Sequence, residues 1–103
     1  MRVVVFEPMK PGRIEEIEND LRIFQNIVGG YIETVTYPSG HVLVCNEEGK
    51  ILNLPQNMRM IMPNGNFDLI FGTFFFAKYD AEGNFTDIDE ETANALLKWG
   101  PKL

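Results

Sequence analysis

VGGYIETVTYPSGHVLVCNEEGKILNLPQN, Val28–Asn57, decides how the rest of this chain is read. Gly29-Gly30 at its start suits the left-handed stop of a preceding helix. Tyr31 to Tyr37 alternates and is rich in β-formers. Pro38-Ser39-Gly40 is a turn, and His41 to Asn46 is the return strand, so the segment predicts a β-hairpin. Asn46-Glu47-Glu48-Gly49 makes a second turn, Lys50 to Leu54 reads as a third short strand, and Pro55 closes it. The chain's only His and only Cys both fall here.

Upstream, Arg2-Val3-Val4-Val5-Phe6 has the β-branched composition of a buried strand, stopped by Pro8 and Pro11-Gly12. Residues 13–28 allow two readings. Ile14, Ile17, Leu21, Phe24 and Val28 recur at helical spacing and fit one amphipathic helix. A short strand over 13–18 followed by a helix over 20–28 fits equally, with Asn19-Asp20 as the cap signal.

Downstream, Met58, Met60 and Met62 alternate with Arg59 and Ile61, then Pro63-Asn64-Gly65-Asn66 breaks the chain. Phe67 to Tyr79 carries the strongest apolar signal, with Phe74, Phe75 and Phe76 consecutive. Leu69 to Phe76 is therefore expected as a central strand, paired on both sides and covered on both faces. Gly72 within it suggests a bulge or a close backbone approach. Asp80 to Asn84 is a polar turn. Asp87 with Glu90 reads as a capping box for a last helix with Ala93, Leu96, Leu97 and Trp99 inward, stopped by Gly100-Pro101. The sum is one α+β domain over residues 1–103: a single, mostly antiparallel sheet of about five strands packed with two helices.

A chain of 103 residues with 45% apolar content can build a core without staples, and a single cysteine argues against a disulfide framework. That cysteine count suits a reducing cytoplasm. No signal-peptide pattern follows Met1, and the apolar run Leu69 to Ala77 is far below a membrane span. The net charge of −6, from 15 acidic and 9 basic residues, disfavours direct binding to a phosphate backbone. An acidic surface chiefly serves solubility. It imitates DNA only where folding collects most of the carboxylates on one side.

Catalytic chemistry finds little support. His41, just after a turn, reads as an exposed turn residue. Cys45 shares its strand face with His41 and Leu43, but i and i+4 on a strand lie about 13 Å apart at roughly 3.3 Å per residue. They form no dyad within one subunit, and Cys45 reads as a small buried hydrophobe. Zinc needs three or four clustered ligands, which one His and one Cys do not supply. The Asn46–Lys50 motif lacks the EF-hand pattern, and Gly29-Gly30 lacks the phosphate-loop frame. Met58, Met60 and Met62 read as core filler in preference to an adaptable groove. No cofactor is called for.

Four blocks, VGGYIE at 28–33, LVCNEEGK at 43–50, LPQN at 54–57 and IFGTFF at 70–75, together resemble the family filed as domain of unknown function 3846. The resemblance runs from the first strand to the last helix. It implies small proteins or modules of Gram-positive bacteria, their phages and mobile elements, and it implies Asn19 as the cap of a short helix. It carries over no activity, ligand or catalytic residue.

The polar residues in and beside these blocks are Glu33, Asn46, Glu47, Lys50, Asn57 and Arg59. They come from strand ends and turns that a hairpin brings together, and they are the expected binding site. The favoured reading is a non-enzymatic binding module, monomer or homodimer, that engages a protein partner or a small-molecule ligand. Two other classes stay open: a small carboxylate-dependent enzyme acting on a nucleotide or peptide, and an acidic DNA mimic of the anti-restriction kind.

Overall fold

A computed structural model describes residues 1–98 of the chain. Trp99 and the expected stop at Gly100-Pro101 lie outside the described residues. Among the described residues eight strands and two helices follow in order: β1 (Arg2–Phe6), β2 (Arg13–Glu16), α1 (Leu21–Val28), β3 (Ile32–Thr36), β4 (His41–Asn46), β5 (Gln56–Ile61), β6 (Phe67–Phe71), β7 (Phe74–Tyr79), β8 (Phe85–Thr86) and α2 (Glu90–Leu97). The main sheet runs β2-β1-β7-β4-β3, with short β8 added beside the end of β7. All its pairings are antiparallel. Strands β5 and β6 form a separate two-stranded sheet. The fold is α+β, as the sequence predicts, with the extra hairpin beyond the single sheet expected.

The strand order explains the composition. Strands β1, β7 and β4 are flanked on both sides, and Val3 to Phe6, Val42 to Val44 and Phe74 to Ala77 are essentially inaccessible. Each alternates between two cores. One face carries Val3, Val5, Val42, Val44, Phe75 and Ala77, and α1 covers it with Phe24 and Val28. The other carries Val4, Phe6, Leu43, Cys45, Phe74 and Phe76. There the cover comes from Met60 and Ile70 of the β5–β6 hairpin and from Ile88, Ala93 and Leu96 at α2. Met60 is thus core, with Met58 and Met62 packed against it.

Several expectations need correction. Leu69 to Phe76 is not one strand. Gly72, at φ 83°, turns the chain between β6 and β7, and only β7 enters the centre of the main sheet. A side chain at that φ is strained, and a Cβ there would lie 2.8 Å from Leu54 Cδ1. The register shift lies instead in β5, between Gln56 and Arg59. Lys50 to Leu54 is a coil of turns in place of a strand: Leu52 N donates to Glu48 O at 2.8 Å and Leu54 N to Gly49 O at 3.0 Å. Those bonds close the backbone on itself and take the N–H groups of Leu52 and Leu54 out of any ladder.

Of the two readings for residues 13–28, strand then helix is the one formed, because β2 pairs with β1 from Arg2↔Glu16 to Val5↔Arg13. Asp20, not Asn19, caps α1, accepting from Arg22 N. Asn19 Nδ2 donates instead to Phe85 O at 2.9 Å, which ties this corner to β8. Gly29 ends the helix in the left-handed conformation as expected, its N–H donating to Gln25 O. Asp89, not Asp87, caps α2 and accepts from Thr92 N and Thr92 Oγ1. Asp87 instead accepts from Arg2 N at 2.6 Å. His41 is half-buried, stacked on Tyr37 with ring centroids 4.5 Å apart.

Candidate functional site

Strand alternation places Glu33, Val35, Leu43 and Cys45 on the same face of the sheet, since Glu33 pairs with Cys45 and Val35 with Leu43. Tyr31 O accepts from Glu47 N, so Glu47 continues that face two residues beyond Cys45. Opposite stands β6, whose Asp68, Leu69, Ile70 and Phe71 border the same space. The coil after β4 closes one end with Gly49, Lys50 and Ile51, and Met62 adds its side chain. The result is an open cleft of about 360 Å³ between the main sheet and the β5–β6 sheet.

Its floor is apolar and its rim is charged. Leu43, Cys45 and Ile70 are buried, while Glu33, Glu47, Lys50 and Asp68 are exposed. Lys50 Nζ meets Asp68 Oδ1 at 2.8 Å, so the ion pair joins the coil to β6 across one end of the cleft. That hydrogen bond from Lys50 is the main cause holding the Asp68 carboxyl below its ordinary pKa. Glu33 and Glu47 form no ion pair with a cation among the described residues. Burial, reinforced by the charges of Glu33 and Asp68, pushes the Cys45 thiol up to about 12. It is therefore a neutral, unreactive wall group at pH 7.

The six residues expected at a site divide sharply. Glu33, Glu47 and Lys50 meet at the cleft. Asn46 borders it, yet its side chain is buried and engaged in structure: Nδ2 donates to Val28 O at 3.1 Å and Oδ1 accepts from Glu48 N at 2.8 Å. It fastens the end of α1 to the coil. Asn57 is also structural. Its Nδ2 donates to Phe6 O at 3.0 Å and Gly72 O at 2.9 Å, bridging β5, β1 and the corner before β7. Arg59 lies over the Phe67 ring, 5.1 Å from its centroid, on the β5–β6 hairpin. Neither Asn57 nor Arg59 lines the cleft.

Sequence reasoning missed Asp68 and the rest of β6. The signal was Gly72: a positive-φ break there makes Phe67–Phe71 a strand of its own, free to face the hairpin from across a cleft. A second hollow, at Gln25, Asn26, Gly29, Gly30 and Tyr31, is wider open and holds no charged side chain. Among the described residues no three His, Cys, Asp or Glu side chains group to hold a metal ion, and no helix is long and apolar enough to cross a membrane.

Set against known proteins, the chain matches one family model over residues 1–99, described as "Domain of unknown function (DUF3846)". No curated protein and no solved structure matches it.

Proposed function

Because the chain belongs to the DUF3846 family, whose description assigns no chemistry, we propose from the cleft itself that this is a non-enzymatic binding module. Its ligand carries a cationic group on an apolar stem. One observation carries the reading: Glu33 and Glu47 stand at the rim of an apolar-floored cleft without an ion-pair partner among the described residues, the Lys50 ammonium there being taken by Asp68. Like charges placed diagonally across a strand pair repel. A bound cation relieves that repulsion, while Val35 and Met62, both partly exposed at the cleft, receive its apolar stem.

The enzyme alternative is less well supported. Carboxylate catalysis calls for a desolvated acid, and the cleft acids Glu33, Glu47 and Asp68 are all exposed. The thiol of Cys45 is held protonated, and His41 lies four residues away along the strand. The phage and mobile-element setting and a cytoplasmic location, implied by the resemblance and by cysteine usage, remain parts of this proposal.

The test is a titration of the ¹⁵N-labelled protein with arginine amide at low ionic strength, where exposed charges are least screened. Amide shifts should concentrate at Glu33, Cys45, Glu47, Lys50 and Asp68. The double variant E33Q/E47Q should lose them while keeping its fold. Shifts scattered over the surface, or unchanged in the double variant, would overturn the reading.

A further inference from the structure

The two ends of the main sheet are built differently. At one end, β2 is four residues long and guarded by charge. Arg13 bonds both Glu7 and Glu15, and Glu16 meets the N-terminal ammonium. Such charge is how an edge strand avoids pairing with a stranger. At the other end, β3 reads Ile-Glu-Thr-Val-Thr, without lysine, proline or bulge, and pairs with β4 alone among the described residues. Its backbone is ready to pair on the far side. Tyr31 O accepts from Glu47 N and Tyr37 N donates to His41 O, so the odd-numbered residues bond inward to β4. By antiparallel alternation Ile32, Thr34 and Thr36 turn their N–H and C=O groups outward. The side chains between them, Glu33 and Val35, line the cleft.

We propose that β3 is the docking edge for an extended segment of a partner protein, which adds as an antiparallel strand and delivers a basic side chain into the cleft. The proposal rests on the cation-binding reading of the cleft and deepens it. Geometry sets the segment's chemistry. Residues opposite Glu33 and Val35 occupy non-hydrogen-bonded positions, where facing side chains approach most closely. A basic residue opposite Glu33 has Glu47 on the same face, and an apolar residue opposite Val35 continues the floor. Read in the antiparallel direction, the segment is apolar-x-basic, flanked by β-formers. Main-chain bonds supply affinity and the two pockets supply selectivity, as in other cases of strand addition. The −6 net charge further favours a basic partner.

The probe is the peptide acetyl-Thr-Val-Thr-Arg-Thr-amide, with its central Thr falling opposite Thr34. Binding is followed by calorimetry and by amide shifts of the labelled full chain. Shifts are expected at Ile32, Thr34 and Thr36 as well as in the cleft. N-methylation of the central Thr should weaken binding about tenfold or more, since it removes a donor aimed at β3. T34P should do the same: its lost N–H points outward, so pairing with β4 and the circular dichroism spectrum should be unchanged. E33Q should weaken the Arg peptide about tenfold and leave a peptide with Gln in place of Arg little altered.

Equal binding of the N-methylated peptide, or full binding to T34P, would overturn strand addition while leaving the cleft reading intact. So would binding of arginine amide alone with no peptide advantage. If neither peptide nor arginine amide binds, the cleft reading falls with it. Concentration-dependent dimerisation that T34P abolishes would overturn the proposal by making the occupant a second copy of β3.

Discussion

His41 and Tyr37 lie face to face, their rings 10° from parallel, and Ser39 Oγ contacts His41 Nδ1. Burial moves the imidazole pKa below its ordinary 6.5, with Asp89 acting in the opposite direction. The folded state therefore favours the neutral ring. Below pH 6.5 the unfolded chain binds the proton more readily, so stability falls as pH drops through the window beneath that value. H41F, which keeps the stack and removes the proton site, should flatten this part of a urea-midpoint profile; an unchanged slope would contradict it. Asn57 gives a second residue-scale expectation. N57A removes hydrogen bonds to Phe6 O and Gly72 O and should cost about 1–3 kcal/mol. Arginine amide binding should survive, because Asn57 stands outside the cleft. A selective loss of binding with no loss of stability would return Asn57 to the site.

Among the elements, β7 dominates. Phe75 packs on Phe24 of α1, ring centroids 5.5 Å apart, while Phe74 stacks on Phe6 at 5.3 Å on the opposite face. Each is inaccessible. F74A and F75A should each cost about 3–5 kcal/mol in chemical denaturation, against a typical domain stability of about 5–15 kcal/mol. A loss under about 1 kcal/mol for both would place β7 at an edge. The three phenylalanines announced this strand because burial on both faces removes the need for alternation. The hairpin β3–β4 was legible for the complementary reason: β3 alternates, and a Pro-Ser-Gly turn joins it to β4. The coil at Lys50–Leu54 was illegible, since Ile51 and Leu52 look like strand residues yet are 82% and 53% exposed. Composition does not record that Gly49 and Asn53 bend the backbone there, Asn53 at φ 54°. Half of the expected site fell outside the cleft or into structural roles for a related reason. A polar residue in a turn looks the same in sequence whether its amide bonds a carbonyl, as Asn46 and Asn57 do, or faces solvent.

At the scale of the whole molecule, five of the fifteen acids stand in two groups at opposite ends of β4. Glu33, Glu47 and Glu48 gather at the end of β4. Asp80 and Glu82 sit in the turn after β7, beside the start of β4, where Tyr79 N donates to Gly40 O. A six-residue strand separates the groups by about 17–20 Å. Glu7, Glu15, Glu16, Asp68 and Asp89 are engaged by cations. The strand order has a further consequence, for the chain during its synthesis. The β1–β2 and β3–β4 hairpins are both complete once Asn46 has emerged, but each lacks its inner neighbour until Phe74–Tyr79 is made. At roughly 5–20 residues per second, two valine-rich ribbons wait some seconds for the strand that joins them. The nascent chain is thus most exposed to misassembly in that interval, and the moment β7 leaves the ribosome sets the earliest time at which the sheet can close.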